Sequence, residues 1–120
     1  MLVQKISWTV LLLLLCQNGK NGVEAIRVVV CEGGIMLLYC NSGLIQVTEA
    51  NYGRTDRTTC SFFIADSMTS NMYCFQKSAF QIMSHRCDAR KRCYVPALNT
   101  IFSDPCAWTY KYLDVRYHCI

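Results

Sequence analysis

The apolar positions of this chain change period along its length, and each change marks an element. Near the N-terminus, Trp8 to Leu15 is an apolar run with five consecutive leucines, preceded by one cation, Lys5. Beyond it the runs shorten. Arg27 to Val30 is β-branched and ends at Cys31, which predicts a first strand. Glu32-Gly33-Gly34 predicts a turn. Ile35 to Cys40 predicts a second strand and Asn41-Ser42-Gly43 a tight hairpin turn. Leu44 to Thr48 follows as a third strand, in which Ile45 and Val47 alternate with Gln46 and Thr48. Together these strands read as a meander. Glu49 to Arg54 is expected to end the third strand, with Gly53 permitting a backbone excursion.

The middle of the chain is different. Thr55 to Asn71 is polar and predicts a loop, tied down at Cys60 and, further on, at Cys74. Ser78 to Arg86 predicts a helix: Ala79, Ile82 and Met83 recur at helical spacing, and Ser78 can cap it. Cys87 to Cys93 is a short charged loop. Tyr94-Val95 begins another strand, which Pro96 breaks, and Asn99 to Ser103 leads into an Asp-Pro-Cys turn. Pro105 fixes its own φ and pushes Asp104 to an extended conformation. From about Tyr110 the period is two again, with Leu113, Val115 and Tyr117 on one face and Tyr112, Asp114 and Arg116 on the other. A rigid turn feeding a strand places Asp104 and Lys111 on the rim of a small domain; alternatively, Asp104 only bonds its own turn. Short strands with frequent turns point to an all-β or α+β sandwich.

The leading apolar run has the form of a secretory signal peptide, too short to span a bilayer comfortably. We expect residues 1–25 to be the leader, with cleavage between 16 and 25, and residues 26–120 to form a single domain. Small residues at Val23 and Ala25 favour Ile26 as the mature start, which leaves 95 residues. With no second long apolar run, the expected protein is secreted and extracellular, without membrane insertion. Without Lys5, Lys20 and Glu24, the 12 basic and 8 acidic residues fall to ten and seven. That net charge of +3 is too weak to argue for a nucleic-acid partner. Nine cysteines occur, one of them, Cys16, in or beside the leader. The other eight read as four disulfides in an oxidising compartment, though about 105 pairings are open to them. Cleavage before Cys16 would leave an odd thiol able to dimerise the chain.

Catalytic chemistry is poorly represented. His85 and His118 are the only near-neutral bases, and neither stands beside an elbow-type nucleophile. Glu32 and Asp104 supply a carboxylate pair on paper, but nothing sets the separation a glycosidase needs. No zinc spacing or EF-hand run occurs, so no catalytic residue, metal or cofactor is expected. Arg90-Lys91-Arg92 reads as a solvated loop or an anion contact, heparin included. What remains is a binding surface. Sugar hydroxyls both give and take hydrogen bonds, so a sugar site needs rigid acceptors and donors together. Glu32, Tyr52, Asp104 and Lys111 are the right types, each beside a cysteine or a turn.

Ala50 to Arg54, ANYGR, and Asp104 to Leu113, DPC…TYKYL, resemble the two signature motifs of the rhamnose-binding lectins, the sea-urchin-egg-lectin-like domain. Cys31-Glu32-Gly33 resembles that family's opening, and the order of the eight cysteines fits. The resemblance runs from about Val28 to Cys119. It implies a compact, disulfide-rich α+β fold: an antiparallel β-sandwich of about five strands with one or two short helices. It implies the pairs Cys31–Cys60, Cys40–Cys119, Cys74–Cys106 and Cys87–Cys93. It implies calcium-independent binding of L-rhamnose or D-galactose through the C2 and C4 hydroxyls, with Glu32, Tyr52, Asp104 and Lys111 as carbohydrate-binding residues and Arg54 structural. The expected partners are glycans with terminal rhamnose or galactose, in microbial recognition and innate defence. Single domains of this type need a homo-oligomer to agglutinate. The same domain also serves adhesion receptors, so a protein-binding adhesion module is the alternative. One departure stands out: where the family carries a small residue, usually Gly, this chain has Trp108. An indole there either covers the pocket or stacks on an apolar sugar face and extends the site.

Overall fold

The computed structural model describes residues 24–120. The expected leader and Cys16 therefore lie outside the described residues, apart from Glu24 and Ala25. Five strands form two antiparallel sheets. In the larger sheet, β5 (Tyr112–Cys119) lies between β1 (Ile26–Cys31) and β3 (Ile45–Gly53). In the smaller, β2 (Ile35–Tyr39) pairs with β4 (Arg92–Pro96). Helix α1 (Ala79–Cys87) and the short α2 (Asn99–Phe102) complete an α+β domain, with a single 3₁₀ turn at Asp66–Met68.

The alternation read in β3 and β5 selects much of the core, and pairing of β2 with β4 adds the rest. Met36 and Leu38 of β2 face Val95 and Cys93 of β4, and all are buried. Ile45 and Val47 of β3 join Leu113, Val115 and Tyr117 of β5. Ala79, Met83 and Cys87 turn one face of α1 onto them, with Ile82 half-buried at its margin. A β-bulge between Val47 and Glu49 interrupts the β3 alternation, and there Thr48 Oγ1 donates to the Arg116 carbonyl at 3.1 Å. On the outer face of β5, Tyr112 is also buried, because Arg54 covers its ring at 5.1 Å. Asp114, on the same face, takes a two-pronged bond from Arg27 at 3.0 and 2.9 Å.

Several local expectations are corrected. The opening strands are not a meander: β1 pairs with the last strand, and β2 and β3 belong to different sheets. Asn41-Ser42-Gly43 thus changes sheets instead of closing a hairpin. Local turn chemistry cannot reveal that, since pairing with β5 is a long-range choice. The strand expected to end near Thr48 runs on to Gly53 because β5 pairs with all of it. Gly53 is small to allow a close approach, not an excursion. A Cβ there would collide with the Cys74 carbonyl, while Arg54 and Cys74 exchange backbone bonds at 2.9 and 3.1 Å. Ser78 does not cap α1: its backbone is already helical and its hydroxyl makes no capping bond. Pro96 does not break β4 but closes it, opposite Ile35. The segment Asn99–Phe102, read as a connection, is helical.

Four disulfides fix the ends of these elements. Cys40–Cys119 ties the end of β2 to the end of β5 across a separation of 79 residues. Cys31–Cys60 anchors the long loop to β1, and Cys74–Cys106 holds the Asp-Pro-Cys turn to the bridge beside Gly53. Cys87–Cys93 clamps the six-residue step from α1 to β4. Two of these bonds, at Cys31 and Cys106, sit next to the groups described below.

Candidate functional site

Three chain segments meet beyond the end of the β1–β5 pair. The first is the turn Cys31 to Gly34, closed by Gly34 N–H donating to the Cys31 carbonyl at 2.9 Å. Gly33 takes φ +90° there, a conformation that favours glycine, and so leaves Glu32 at the exposed corner. The second is the residue just before β5. Glu32 N–H donates to the Lys111 carbonyl, and Lys111 N–H donates to Glu32 Oε1, both at 2.9 Å. The third is the Asp-Pro-Cys turn, where Cys106 N–H donates to Asp104 Oδ1 at 3.1 Å. The local role for Asp104 is thus real, and it does not exclude a second one.

Lys111 joins the three. Its side chain is 2% exposed, and Nζ lies 3.2 Å from Glu32 Oε1 and 3.1 Å from Asp104 Oδ1. It also donates to the Thr109 carbonyl at 2.9 Å. The ammonium is thus within ion-pair distance of both carboxylates and hydrogen-bonded to one carbonyl, which commits it within the domain. Lys111 therefore lies below the rim where the sequence placed it, and acts as an internal cation between two half-exposed carboxylates. Among the described residues, Glu32 Oε2 and Asp104 Oδ2 have no hydrogen-bond donor. These two oxygens are the acceptors left for anything outside.

Tyr52 lies deeper still. Its ring is buried, stacks on Phe102 at 5.0 Å between centroids, and sits 5.9 Å from Lys111 Nζ. Burial pushes its hydroxyl pKa well above the ordinary tyrosine value, and the charges of Glu32 and Asp104 push it further. It therefore stays protonated and donates to Asn99 Oδ1 at 2.6 Å. Among the described residues the Asn99 amide nitrogen has no hydrogen-bond partner, and Asn99 lines one cleft with Glu32 and Asp104. Asn99 escaped the sequence reading because nothing in its local pattern marks it; only the start of α2 brings it here.

Arg54 is fully buried, and its guanidinium donates to the carbonyls of Tyr110, Asp56 and Cys60 at 2.8, 2.9 and 3.3 Å. It thereby fixes the peptide leading into Lys111. Burial raises the pKa of the neighbouring Asp56. Hydrogen bonds from Thr59 and Thr58 and the charge of Arg54 outweigh that and hold it below its usual value.

The groups border a cleft of about 290 Å³, with Trp108 and Met68 on its apolar side. This is near the lower limit for small-ligand sites. Trp108 is 89% exposed and lies at the third position of a turn closed by Thr109 N–H on the Cys106 carbonyl. Its φ is +69°, the conformation glycine adopts freely and a bulky residue resists. The indole thus neither plugs the cleft nor packs into the core; it stands beside the opening. The structure gathers Glu32, Asp104, Lys111 and Trp108 around one cleft and leaves Tyr52 beneath it. A second cleft of about 340 Å³ adjoins it, sharing Glu32, Asn99 and Tyr110.

The structure thus presents a small disulfide-bonded α+β domain whose cleft sets two carboxylates and an amide beside an apolar wall. The chain belongs to the D-galactoside/L-rhamnose binding SUEL lectin domain family, whose profile matches residues 38–119. It is 42% identical over 104 residues to a rhamnose-binding lectin of Silurus asotus, covering 87% of this chain and 32% of that protein. It is 38% identical to L-rhamnose-binding lectin SML of Scomberomorus niphonius, covering 86% of this chain and 51% of that lectin. Adhesion G protein-coupled receptor L1 of Homo sapiens is 46% identical over 96 residues, 78% of this chain and 6% of the receptor. The chain therefore spans about half or less of the length of these relatives.

Proposed function

We propose that this domain binds glycans ending in L-rhamnose or D-galactose-type sugars, without calcium, as a secreted protein in microbial recognition. The observation that carries this reading is the arrangement around Lys111. Two carboxylates are held by one buried ammonium, each keeps one oxygen free, and the Asn99 amide supplies a donor beside them. Vicinal or near-vicinal hydroxyls require that mixture of acceptor and donor. Calcium independence has a physical basis in the same geometry, because a protein cation already occupies the place between the carboxylates. The rhamnose-binding relatives support the choice of sugar. The leader-like N-terminus and the four disulfides support secretion. Among the described residues, no helix is long and apolar enough to cross a membrane.

The test is calorimetric titration of the oxidised protein with L-rhamnose and D-galactose, with and without EDTA. Saturable binding that EDTA leaves unchanged is expected, with loss in Asn99→Ala and in Lys111→Ala. Asn99 is exposed and its variant gives up one hydrogen bond, from Tyr52, against the buried ion pairs lost with the lysine, so it is the better folded of the two. Binding by both variants at wild-type affinity would refute the site.

Exposed aromatic rings favour a second reading, a protein-binding adhesion module. Phe62 and Phe63 are 82% and 92% exposed, and Trp108 and Tyr73 are similarly bare. The receptor relative is consistent with such a use. Free rhamnose or galactose displaces the partner of a lectin and leaves the partner of an adhesion module in place.

A further inference from the structure

The basic run Arg90-Lys91-Arg92 is not a loose loop. The Cys87–Cys93 disulfide closes it, and Ala89 takes φ +64° at its tip. Four backbone bonds hold it: Ala89 N–H to Ile45 O at 2.9 Å, Arg90 N–H to Cys87 O at 3.2 Å, and Ile45 and Cys40 N–H to the Arg90 and Lys91 carbonyls at 2.9 Å each. The last turn of α1 brings His85 and Arg86 alongside. Together with Arg90, Arg92 and Tyr94 they line a polar cleft of about 460 Å³. Four of the ten basic residues of 26–120 thus fall between positions 86 and 92. Among the described residues, none of the four takes part in an ion pair, while Arg27, Arg54, Lys111 and Arg116 all do. The nearest carboxylate in the chain, Asp88, is engaged by Val47 N–H at 2.8 Å. Arg92 is further held over the Tyr39 ring at 5.3 Å.

We propose that this cleft is an anion site for sulfate-bearing glycans, separate from the cleft at Lys111. Guanidinium forks pair with the oxygens of sulfate in two-pronged fashion, and a braced loop loses little freedom on binding. The concave shape suits sulfates projecting from a sugar chain better than the flat face of a bilayer. The disulfides place the domain where sulfated polysaccharides occur. Arg92 opens β4 and Pro96 closes it, so about 13 Å of strand separates the basic cleft from the segment leading to Asn99. The two sites can therefore be filled together.

The experiment is titration of the oxidised protein with a fully sulfated heparin hexasaccharide at low and physiological ionic strength. Saturable binding is expected, weakened about tenfold or more in Arg90→Ala/Arg92→Ala. A matched loss of two exposed charges elsewhere, Arg57→Ala/Lys77→Ala, should change it by less than about twofold. The desulfated hexasaccharide should not bind, and melting temperatures of both double variants should confirm that they are folded. Equal losses in the two double variants would mean diffuse charge attraction and overturn the site. So would undiminished binding of the desulfated sugar, or tighter binding of a short DNA duplex or of phosphatidylserine vesicles.

Discussion

Trp108 offers a direct test of how the cleft is built. Its φ of +69° puts a Cβ where the following carbonyl crowds it, at a cost of about 1–2 kcal/mol for a residue other than glycine. The indole recovers little of that, since it is 89% exposed. Trp108→Gly removes the strain but loosens the unfolded chain, which costs about 0.4–1 kcal/mol. The net expectation is a gain of about 0.5–1 kcal/mol, or roughly 3–6 °C in melting temperature for a domain of this size. Trp108→Ala is the control, because it deletes the indole and keeps the Cβ; its stability should stay within about 0.5 kcal/mol of wild type. Guanidinium titration of the three proteins with disulfides intact measures both differences. If glycine and alanine behave alike, backbone strain at this position is not the issue. If both lose more than about 1 kcal/mol, the indole is packed and the cleft wall has been misread.

Further outcomes follow from the buried polar groups. Arg54→Met strips the carbonyls of Tyr110, Asp56 and Cys60 of their donor, and should cost roughly 3 kcal/mol or more in a denaturant titration. A loss below about 1 kcal/mol would show that water replaces the guanidinium. Tyr52 has a folded-state pKa above its unfolded value of 10.0, so its contribution is fully present below about pH 10 and declines as pH rises further. Tyr52→Phe loses about 1 kcal/mol near neutrality with the bond to Asn99. Lacking a phenol, it should gain on wild type by up to about 1.4 kcal/mol per pH unit above pH 10. A constant gap between the two across that range would contradict the buried, protonated hydroxyl.

Much of the fold was legible because it rests on local alternation. The buried faces of β3 and β5 and the core face of α1 are the ones the sequence marks, and the fold class follows from them. The pairing of the strands was not legible. β5 enters between β1 and β3, and the residues that decide this lie roughly sixty to ninety positions apart in the chain. The function of Gly53 was hidden for the same reason, since its neighbour is the Cys74 carbonyl. At the candidate site, the motif residues fall around one cleft, but their burial was not legible. Lys111 and Tyr52 are buried supports, and Asn99, which reaches the opening, carries no local signature. The departure at Trp108 was visible as a residue type, while its cost, a positive φ, belongs to the backbone.

The placement of the supports explains why a domain this small can present a defined polar cleft at all. A carboxylate pair at a surface would ordinarily repel and swing into water, and fixing it costs side-chain freedom. Here Lys111 offsets one of the pair's two charges from below, and its Nζ cannot turn outward without breaking two ion pairs and a hydrogen bond. Each contact in turn belongs to a segment held elsewhere: Glu32 beside the Cys31–Cys60 bond, Asp104 beside the Cys74–Cys106 bond, and the Tyr110–Lys111 segment under Arg54. Breaking one buried partner of such an ion pair costs about 3–5 kcal/mol. The fixed positions of Glu32 Oε2, Asp104 Oδ2 and the Asn99 amide thus come from the disulfides and the buried cations below them. A ligand meeting these atoms has little ordering of the protein left to offset, which is what weakly bound, small polar ligands require.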